Sequence, residues 1–163
     1  MTKRKATDFI AVHCTASPPS VDMDADDIRA IHTAPKGTPF DIAPGIVFHG
    51  RGWSDIGYHF VIRRQGHSEM GRPVMEIGAH VRGFNSRSVA VVLVGGVNAA
   101  NVPTDNFTPA QWDVLTLLLR GLVATFPGAV VQGHRDFPNV HKACPSFDAI
   151  GWWAAHKDDD PHA

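Results

Sequence analysis

The sequence of 163 residues has only two cysteines, no long apolar run and no excess of charge of one sign. Two cysteines are too few for the disulfide framework of a small secreted domain, so free thiols, metal ligands or nucleophiles are expected instead. No apolar run approaches the roughly 20 residues of a membrane-spanning helix. The N-terminus also lacks the apolar stretch, roughly 7–15 residues long, of a secretory signal. These absences predict no membrane insertion and a protein that stays in the compartment where it is made.

The charges are nearly balanced, with fifteen lysines and arginines, sixteen acidic residues and a formal net charge of −1. Such a chain has no basic field to attract nucleic acid, and no nucleic-acid partner is expected. The basic Lys3–Lys5 and the acidic Asp158–Asp160 read as solvated, frayed termini. The length fits one domain over residues 1–163 with a core at about 8–155. A monomer is expected, although the sequence carries no signal of the oligomeric state.

The order of apolar segments predicts an α/β fold, in which one domain has a central mixed β-sheet flanked by helices. Apolar runs with β-branched residues predict the strands, and Gln65-Gly66 predicts a hairpin tip. The almost wholly apolar run Ser88–Val94 predicts a central strand covered on both faces. The other predicted strands are Phe9–His13, Gly57–Ile62, His67–Met70 and Ala129–Gly133. Between Thr33 and Gly52, frequent proline and glycine predict a long surface loop with at most a brief strand at Ile46–Phe48.

Three helices are predicted from their start signals and apolar stripes. Acidic residues at 22–27 precede a short helix that ends near His32. Thr108 with Gln111 forms a capping-box spacing with proline at the first helical position, and the leucine stripe that follows predicts a helix ending before Pro127. For the terminal helix, Ser146 is the predicted N-cap. Its predicted buried face consists of Phe147, Ile150, Trp152 and Trp153.

Ten histidines are present, and the candidate site comes from two that follow predicted strands. His13 ends the first strand and His134 follows the last, while alternation along the strand turns Cys14 away from His13 into packing. Pro145 favours an extended backbone at Cys144, so Lys142 and Cys144 should point the same way, with the ammonium depressing the thiol pKa. A buried structural cysteine, a surface lysine and a core histidine remain the alternatives.

Two histidines and a cysteine that converge would leave the fourth tetrahedral position of zinc open, as in catalytic sites. Tyr58, near a strand end, and Lys142 could then stabilise charge that develops on a substrate oxygen. His141 also falls beside the cysteine and could be a neighbour of the metal without binding it.

The chain resembles the type-2 N-acetylmuramoyl-L-alanine amidases in seven segments that keep the family's order and spacing. The resemblance is strongest to short phage endolysins, whose fold is shared with peptidoglycan-recognition proteins. It covers about residues 9–153. The segments are FIAVHCTA, DIGYHFVI, GAHVRGFN, VVLVGG, NFTPAQ, GHRD and KACPSFD.

The resemblance implies hydrolysis, with Zn²⁺ as cofactor, of the amide between N-acetylmuramic acid and the L-alanine of the stem peptide in bacterial peptidoglycan. Family ligands match His13, His134 and Cys144, and the family's catalytic residues match Tyr58 and Lys142. His80 and Asn85 match a motif that lines the substrate groove, with loop packing as the alternative. The implied location is the host cytoplasm, from which the wall is reached after membrane permeabilisation.

Two other functions are compatible with the resemblance. Some relatives bind peptidoglycan without cutting it, typically because their ligand set is incomplete, whereas all three ligand types are present here. Some phage amidases also bind and regulate a protein partner, but no residue of this chain can be matched to that role.

Overall fold

A computed structural model describes residues 2–159, so Asp160 and His162 lie outside the described residues. Short 3-10 turns cover Asn85–Arg87 and His134–Asp136. The main elements, in chain order, are β1 (Phe9–Cys14), α1 (Ala25–Thr33), β2 (Pro39–Ala43), β3 (Ile46–His49), β4 (Phe60–Ile62), β5 (Ser68–Met70), β6 (Ser88–Leu93), α2 (Pro109–Thr125), β7 (Val130–Gly133) and α3 (Ala149–His156).

The main sheet has five strands in the order β5-β4-β6-β1-β7. Strands β4, β6, β1 and β7 are parallel to one another, and only the edge strand β5 is antiparallel. The predicted mixed sheet is therefore confirmed. Every residue of β6 is buried, which confirms the prediction of a central strand. The predicted strand Gly57–Ile62 is wrong in its first half, because β4 begins only at Phe60.

Helices cover both faces of this sheet. On one face, Leu115 and Leu119 of α2 pack with Ile10 and Val12 of β1, joined by Phe147 just before α3. On the other face, Ile28 and Ile31 of α1 pack with Val61 and Val92. Because successive strand residues point to opposite faces, the alternating apolar residues of β1, β4 and β6 serve both layers.

The start of α2 follows the predicted capping box. The Thr108 side chain accepts a hydrogen bond from the Gln111 amide, and the Gln111 side chain accepts one from the Thr108 amide. The prediction for α3 is wrong at its start, because Asp148 and not Ser146 is the N-cap. Ser146 instead has a positive φ of 72° and its hydroxyl donates to the Gly96 carbonyl. Ile150 is 48% exposed, so it does not belong to the buried face of α3.

The Thr33–Gly52 segment is a β-hairpin rather than a loop. Strands β2 and β3 pair antiparallel through Phe40 with Phe48, and Gly45 provides the positive φ of 76° at the turn. The proline and glycine residues that predicted a loop mark the two ends and the tip of this hairpin. Of the strand residues of this hairpin, only Ile46 is buried, and the others are half-buried or exposed.

The N-terminal segment is not frayed. Arg4 is only 3% exposed, its amide donates to the Met75 carbonyl, and its guanidinium lies over the Phe126 ring. The prediction of a solvated Lys3–Lys5 is therefore wrong at Arg4, whose long side chain covers apolar surface. Within the described residues, no helix has the length and apolar character needed to span a membrane.

Candidate metal centre and active-site cleft

Two parallel strands bring His13 and His134 together at one edge of the sheet. Val12 of β1 pairs with Gly133 of β7, so the residues that follow them are neighbours at the carboxyl ends of both strands. The centroids of the two imidazole rings lie 4.6 Å apart. Ligand sites commonly form at such edges of parallel sheets.

Cys144 reaches the same point on the segment that returns from the 3-10 turn after β7. The Arg135 amide donates to the Cys144 carbonyl over 2.8 Å, and the Cys14 amide donates to the Cys144 Sγ over 3.3 Å. These backbone bonds fix the thiol beside the end of β1. Cys14 itself is 6% exposed and packs in the core cluster, as the strand alternation predicted.

One nitrogen from each histidine and the Cys144 sulfur lie within 4.8 Å of one another. The Cys144 Sγ to His13 Nδ1 distance is 3.8 Å. Tetrahedral zinc with bonds of about 2.0–2.3 Å needs ligand atoms roughly 3.3–3.8 Å apart, so a small adjustment would satisfy the geometry. The donor set also suits zinc, which prefers imidazole and thiolate. His141 is exposed and lies outside this group.

A chain of hydrogen bonds assigns the free nitrogen of His13. The Ser88 hydroxyl donates to the Phe84 carbonyl over 2.8 Å, so it accepts from His80 Nε2 at 3.3 Å. The His80 Nδ1 is then an acceptor for His13 Nε2–H at 3.1 Å. His13 Nδ1 is left unprotonated on the side that faces Cys144, as a metal ligand requires.

The surroundings hold both imidazoles neutral. Burial, together with a smaller contribution from the Lys142 ammonium, lowers the pKa of His134 to about 4. Burial also lowers the pKa of His13 well below its ordinary value, with added repulsion from His80 and His134. Neutral imidazoles at pH 7 are ready to bind a cation without losing a proton first.

The pKa of the Cys144 thiol is raised, whereas the sequence predicted that it would be lowered. The neighbouring Cys14 thiol, followed by burial, raises the pKa of Cys144, while the Cys14 amide that donates to its sulfur and the Lys142 ammonium act in the opposite direction with smaller effects. Lys142 therefore acts in the predicted direction, but the predicted net depression of this pKa is wrong. Removal of the thiol from water disfavours the thiolate unless a strong positive charge such as a metal ion is present.

Tyr58 and Lys142 lie at the wall of the same cleft. The Tyr58 ring centroid is 5.2 Å from that of His13, and burial raises the pKa of its phenol, which keeps the hydroxyl protonated. Tyr58 packs on the α1 side of the sheet with Val61, whereas Phe60 packs on the α2 side. Lys142 is exposed, and its ammonium contributes to the lowered pKa of both histidines.

His80 and Asn85 line the cleft, but each also has partners in the loop that carries it. The Asn85 side-chain oxygen accepts from the amides of His80 and Val81, both over 2.8 Å. Asn85 therefore holds the loop in shape, and His80 orients His13. The sequence did not predict the contact between His80 and His13, because no local signal joins residues that are 67 positions apart.

The cleft has a volume of about 1020 Å³ and also receives residues that sequence analysis did not select. Arg51 and Trp53 follow the β2–β3 hairpin, and His32 ends α1. The His32 ring lies 4.8 Å from the Trp53 ring, centroid to centroid. Only the folded hairpin brings these side chains beside Tyr58.

Residues 3–147 match the family described as N-acetylmuramoyl-L-alanine amidase. The endolysin of Klebsiella phage KP32 is 43% identical over 152 residues, which cover 93% of this chain and 89% of that protein. The endolysin of Escherichia phage T7 is 40% identical over 151 residues, covering 93% and 88%. Among solved structures, the Ph2119 endolysin from a Thermus scotoductus bacteriophage has a TM-score of 0.70 and 27% identity, covering 97% of this chain and 90% of that one.

The fold and the side chains at its sheet edge define an α/β domain of the hydrolase class, with a candidate His₂Cys metal centre in an open cleft. The sequence match is more specific. The chain belongs to the N-acetylmuramoyl-L-alanine amidase family, and the relatives that match most of its length are phage endolysins.

Proposed function

We propose that the chain, over residues 1–163, is a single-domain, monomeric, zinc-dependent peptidoglycan hydrolase of the phage endolysin type. It cleaves the amide between N-acetylmuramic acid and the L-alanine of the stem peptide. The observation that carries this proposal is the group of His13, His134 and Cys144, gathered within 4.8 Å in a chain of the amidase family. In this proposal the enzyme reaches the wall from the host cytoplasm after the membrane is permeabilised.

The three grouped residues would hold the zinc ion in this proposal. Two observations support that assignment: the ligand atoms of the three residues lie within 4.8 Å of one another, and both imidazoles are neutral. Zinc supplies Lewis-acid polarisation of a carbonyl and activation of water near neutral pH. His80 accepts the His13 Nε2–H and fixes the ring, which keeps Nδ1 aimed at the centre of the group.

Two further side chains take the catalytic roles. Lys142 lines the cleft, and its ammonium would stabilise negative charge that develops on the amide oxygen during attack by water. Tyr58 stays protonated, so its hydroxyl can donate a hydrogen bond to substrate or water but cannot act as a base near pH 7. The burial of its ring against His32 and His13 fixes the direction of that hydroxyl.

Digestion of purified cell walls tests the proposal. The protein should release new alanine amino termini without new reducing sugar ends, and a chelator should stop the release. His134→Ala should lower the activity to background, whereas His141→Ala, a matched change of an exposed histidine in the same cleft, should keep it. Release that survives complete removal of metal would contradict the proposed chemistry.

The same experiment separates the alternative of a recognition module. A module that only binds peptidoglycan would sediment with walls and produce no amino termini. The complete His₂Cys set favours the hydrolase, because loss of a ligand is the expected mark of a binding-only relative.

A further inference from the structure

The β2–β3 hairpin builds a second, smaller pocket beside the cleft. The pocket has a volume of about 250 Å³, and its lining combines apolar side chains of α1 and β3 with polar groups. The apolar residues include Ile28, Ile31, Val47 and Phe48, and the polar ones include Thr15, His32 and His49. It reaches Tyr58, which also lines the cleft. Ligand pockets for drug-sized molecules span roughly 300–1,000 Å³, so this one suits a single side chain of a longer ligand.

Arg51 stands where the two cavities meet and lines both. Its neighbours fix its backbone: the Gly50 amide donates to the Thr38 carbonyl and the Gly52 amide donates to the Ala34 carbonyl, both over 2.8 Å. A side chain at Gly50 would lie 2.3 Å from the Pro35 carbonyl oxygen, so the close approach of the hairpin to the end of α1 requires glycine. The arginine backbone is held while its side chain is exposed.

The guanidinium of Arg51 has no acidic partner among the described residues. Each of the five ion pairs found there involves another arginine. Neither cavity has an aspartate or glutamate in its lining, although three basic side chains line the cleft. They are Arg51, Arg82 and Lys142. A protein with a net charge of −1 thus presents an unpaired positive surface at its candidate site, which favours an anionic ligand.

We propose that Arg51 binds a free carboxylate of the stem peptide while the hairpin pocket receives an aliphatic part of the same peptide. The proposal rests on the function proposed above and names the substrate class, an acidic peptide rather than one whose carboxylates are amidated. Guanidinium and carboxylate form paired, charge-assisted hydrogen bonds, and the neighbouring apolar wall reduces competition from water. Arg51 is therefore a specificity-determining residue contributed by the hairpin.

The electrostatics of the neighbours agree with this position. After burial, the charge of Arg51 is the next contribution that lowers the pKa of His32 to about 4. The same charge opposes the burial that raises the pKa of Tyr58. The Arg51 charge therefore lies close enough to His32 and Tyr58 to affect the pKa of each, and both residues line the cleft in which the peptide would bind.

Binding of two synthetic peptides tests the proposal. Both are N-acetylated stem peptides without the scissile muramoyl amide, one with free carboxylates and one with carboxamides in their place. Calorimetry should show that the wild-type chain binds the free acid more tightly. Arg51→Gln should weaken binding of the acid roughly tenfold or more and leave the carboxamide unchanged, because only the charged hydrogen bonds are lost. The affinity of Arg51→Lys for the free acid should lie between those of the wild type and Arg51→Gln, since lysine keeps the charge but cannot form the paired hydrogen bonds.

A second pair of variants tests the pocket. Val47→Asp places a negative charge in the pocket wall and should weaken binding of the acidic peptide. Val102→Asp makes the same change at a similarly exposed valine that lines neither cavity, and binding should be unchanged. Equal binding of both peptides by wild type and Arg51→Gln overturns the proposal.

Hydrolysis of a muramoyl peptide, measured separately, keeps the two proposals distinguishable. A chain that binds the acid through Arg51 but releases no amino termini contradicts the proposed function and supports the carboxylate site. A chain that hydrolyses acid and carboxamide substrates with the same KM, with or without Arg51, contradicts the carboxylate site alone.

Discussion

His13 connects the buried sheet with the candidate metal centre. It is 1% exposed, its Nε2 is bound to His80 and its Nδ1 faces the Cys144 sulfur at 3.8 Å. An imidazole with one nitrogen committed to a buried partner cannot rotate without breaking that bond. The ring is therefore preorganised, and the residue that holds it should affect metal affinity as well as catalysis.

Replacement of the partner tests this dependence. His80→Ala should weaken zinc binding about 10–100-fold, because His13 loses the acceptor that fixes its tautomer and orientation. Competition with a chromogenic chelator measures the affinity directly. His141→Ala is the matched control and should leave the affinity unchanged. Ser88→Ala removes the acceptor of His80 Nε2–H and the bond to the Phe84 carbonyl but keeps the His80–His13 bond, so it should have a smaller effect than His80→Ala. Unaltered zinc affinity in His80→Ala would show that His13 needs no such support.

At the scale of the elements, the buried side chain of Gln111 joins α2 to the sheet by hydrogen bonds, in addition to the apolar packing of its leucines. Gln111 is fully buried, and its amide nitrogen donates to the carbonyls of Ile62 and Val94 at the ends of β4 and β6. Its side-chain oxygen accepts from the Thr108 amide to complete the helix cap. One residue thus satisfies backbone groups of three elements.

Loss of Gln111 should therefore cost more than loss of an ordinary cap. Gln111→Ala leaves buried backbone groups without partners, and a cost of about 2–4 kcal/mol in the free energy of unfolding is expected. Thr108→Ala removes the two hydrogen bonds of the hydroxyl, from the Gln111 amide and to the Arg64 carbonyl, and should cost about 1 kcal/mol. Urea denaturation measures both, with Gln65→Ala at the exposed hairpin tip as the control. Equal costs for Gln111→Ala and Thr108→Ala would refute the bridging role.

The hairpin is anchored by close packing at Gly50. Gly50→Ala should destabilise the chain by roughly 1–3 kcal/mol, because the added methyl group meets the Pro35 carbonyl and one of the two must move. Gly121→Ala is the matched control on the exposed side of α2, where an added Cβ meets nothing within 4 Å. It should stabilise the chain by about 0.5–1 kcal/mol, since alanine favours a helix. Thermal unfolding should show the two effects with opposite sign.

At the scale of the whole molecule, two buried histidines couple stability to pH. His32 Nδ1 accepts from the Gly57 amide over 3.0 Å, and His59 Nδ1 accepts from the Ala90 amide over 2.9 Å. Both roles require the neutral ring. Burial, the largest cause for each, lowers the pKa of His32 and of His59 to about 4, below the ordinary value of 6.5.

Acid should therefore destabilise the fold in a defined window. Between pH 6.5 and about 4 the unfolded chain binds protons that the folded chain does not, so the free energy of unfolding falls as the pH falls. The loss is on the order of 3 kcal/mol for each histidine across that window. Urea titrations at several pH values measure it. His59→Gln should reduce the slope and the exposed His67→Gln should not, whereas a free energy that stays constant from pH 7 to 5 would contradict the assignment.

The local patterns were sufficient for most of the architecture. The run Ser88–Val94 predicted a central strand and the Thr108 capping box predicted α2, because both depend on short stretches of sequence. Where contacts are distant, the patterns failed. Arg4 is buried through residues 75–76 and Phe126, and the Thr33–Gly52 segment folds as a hairpin against α1. Frequent glycine and proline in a short stretch of sequence cannot reveal such packing.

The sequence by itself determined the chemical types at the candidate site, two imidazoles and a thiol beside a lysine and a tyrosine, and the family to which they belong. Only the tertiary structure decided which nitrogen of His13 faces the sulfur and why the Cys144 thiol needs a cation to ionise. It also placed Arg51 without an acidic partner at the cleft. Residue type is a local property, whereas burial and orientation depend on groups that folding brings together from distant parts of the chain.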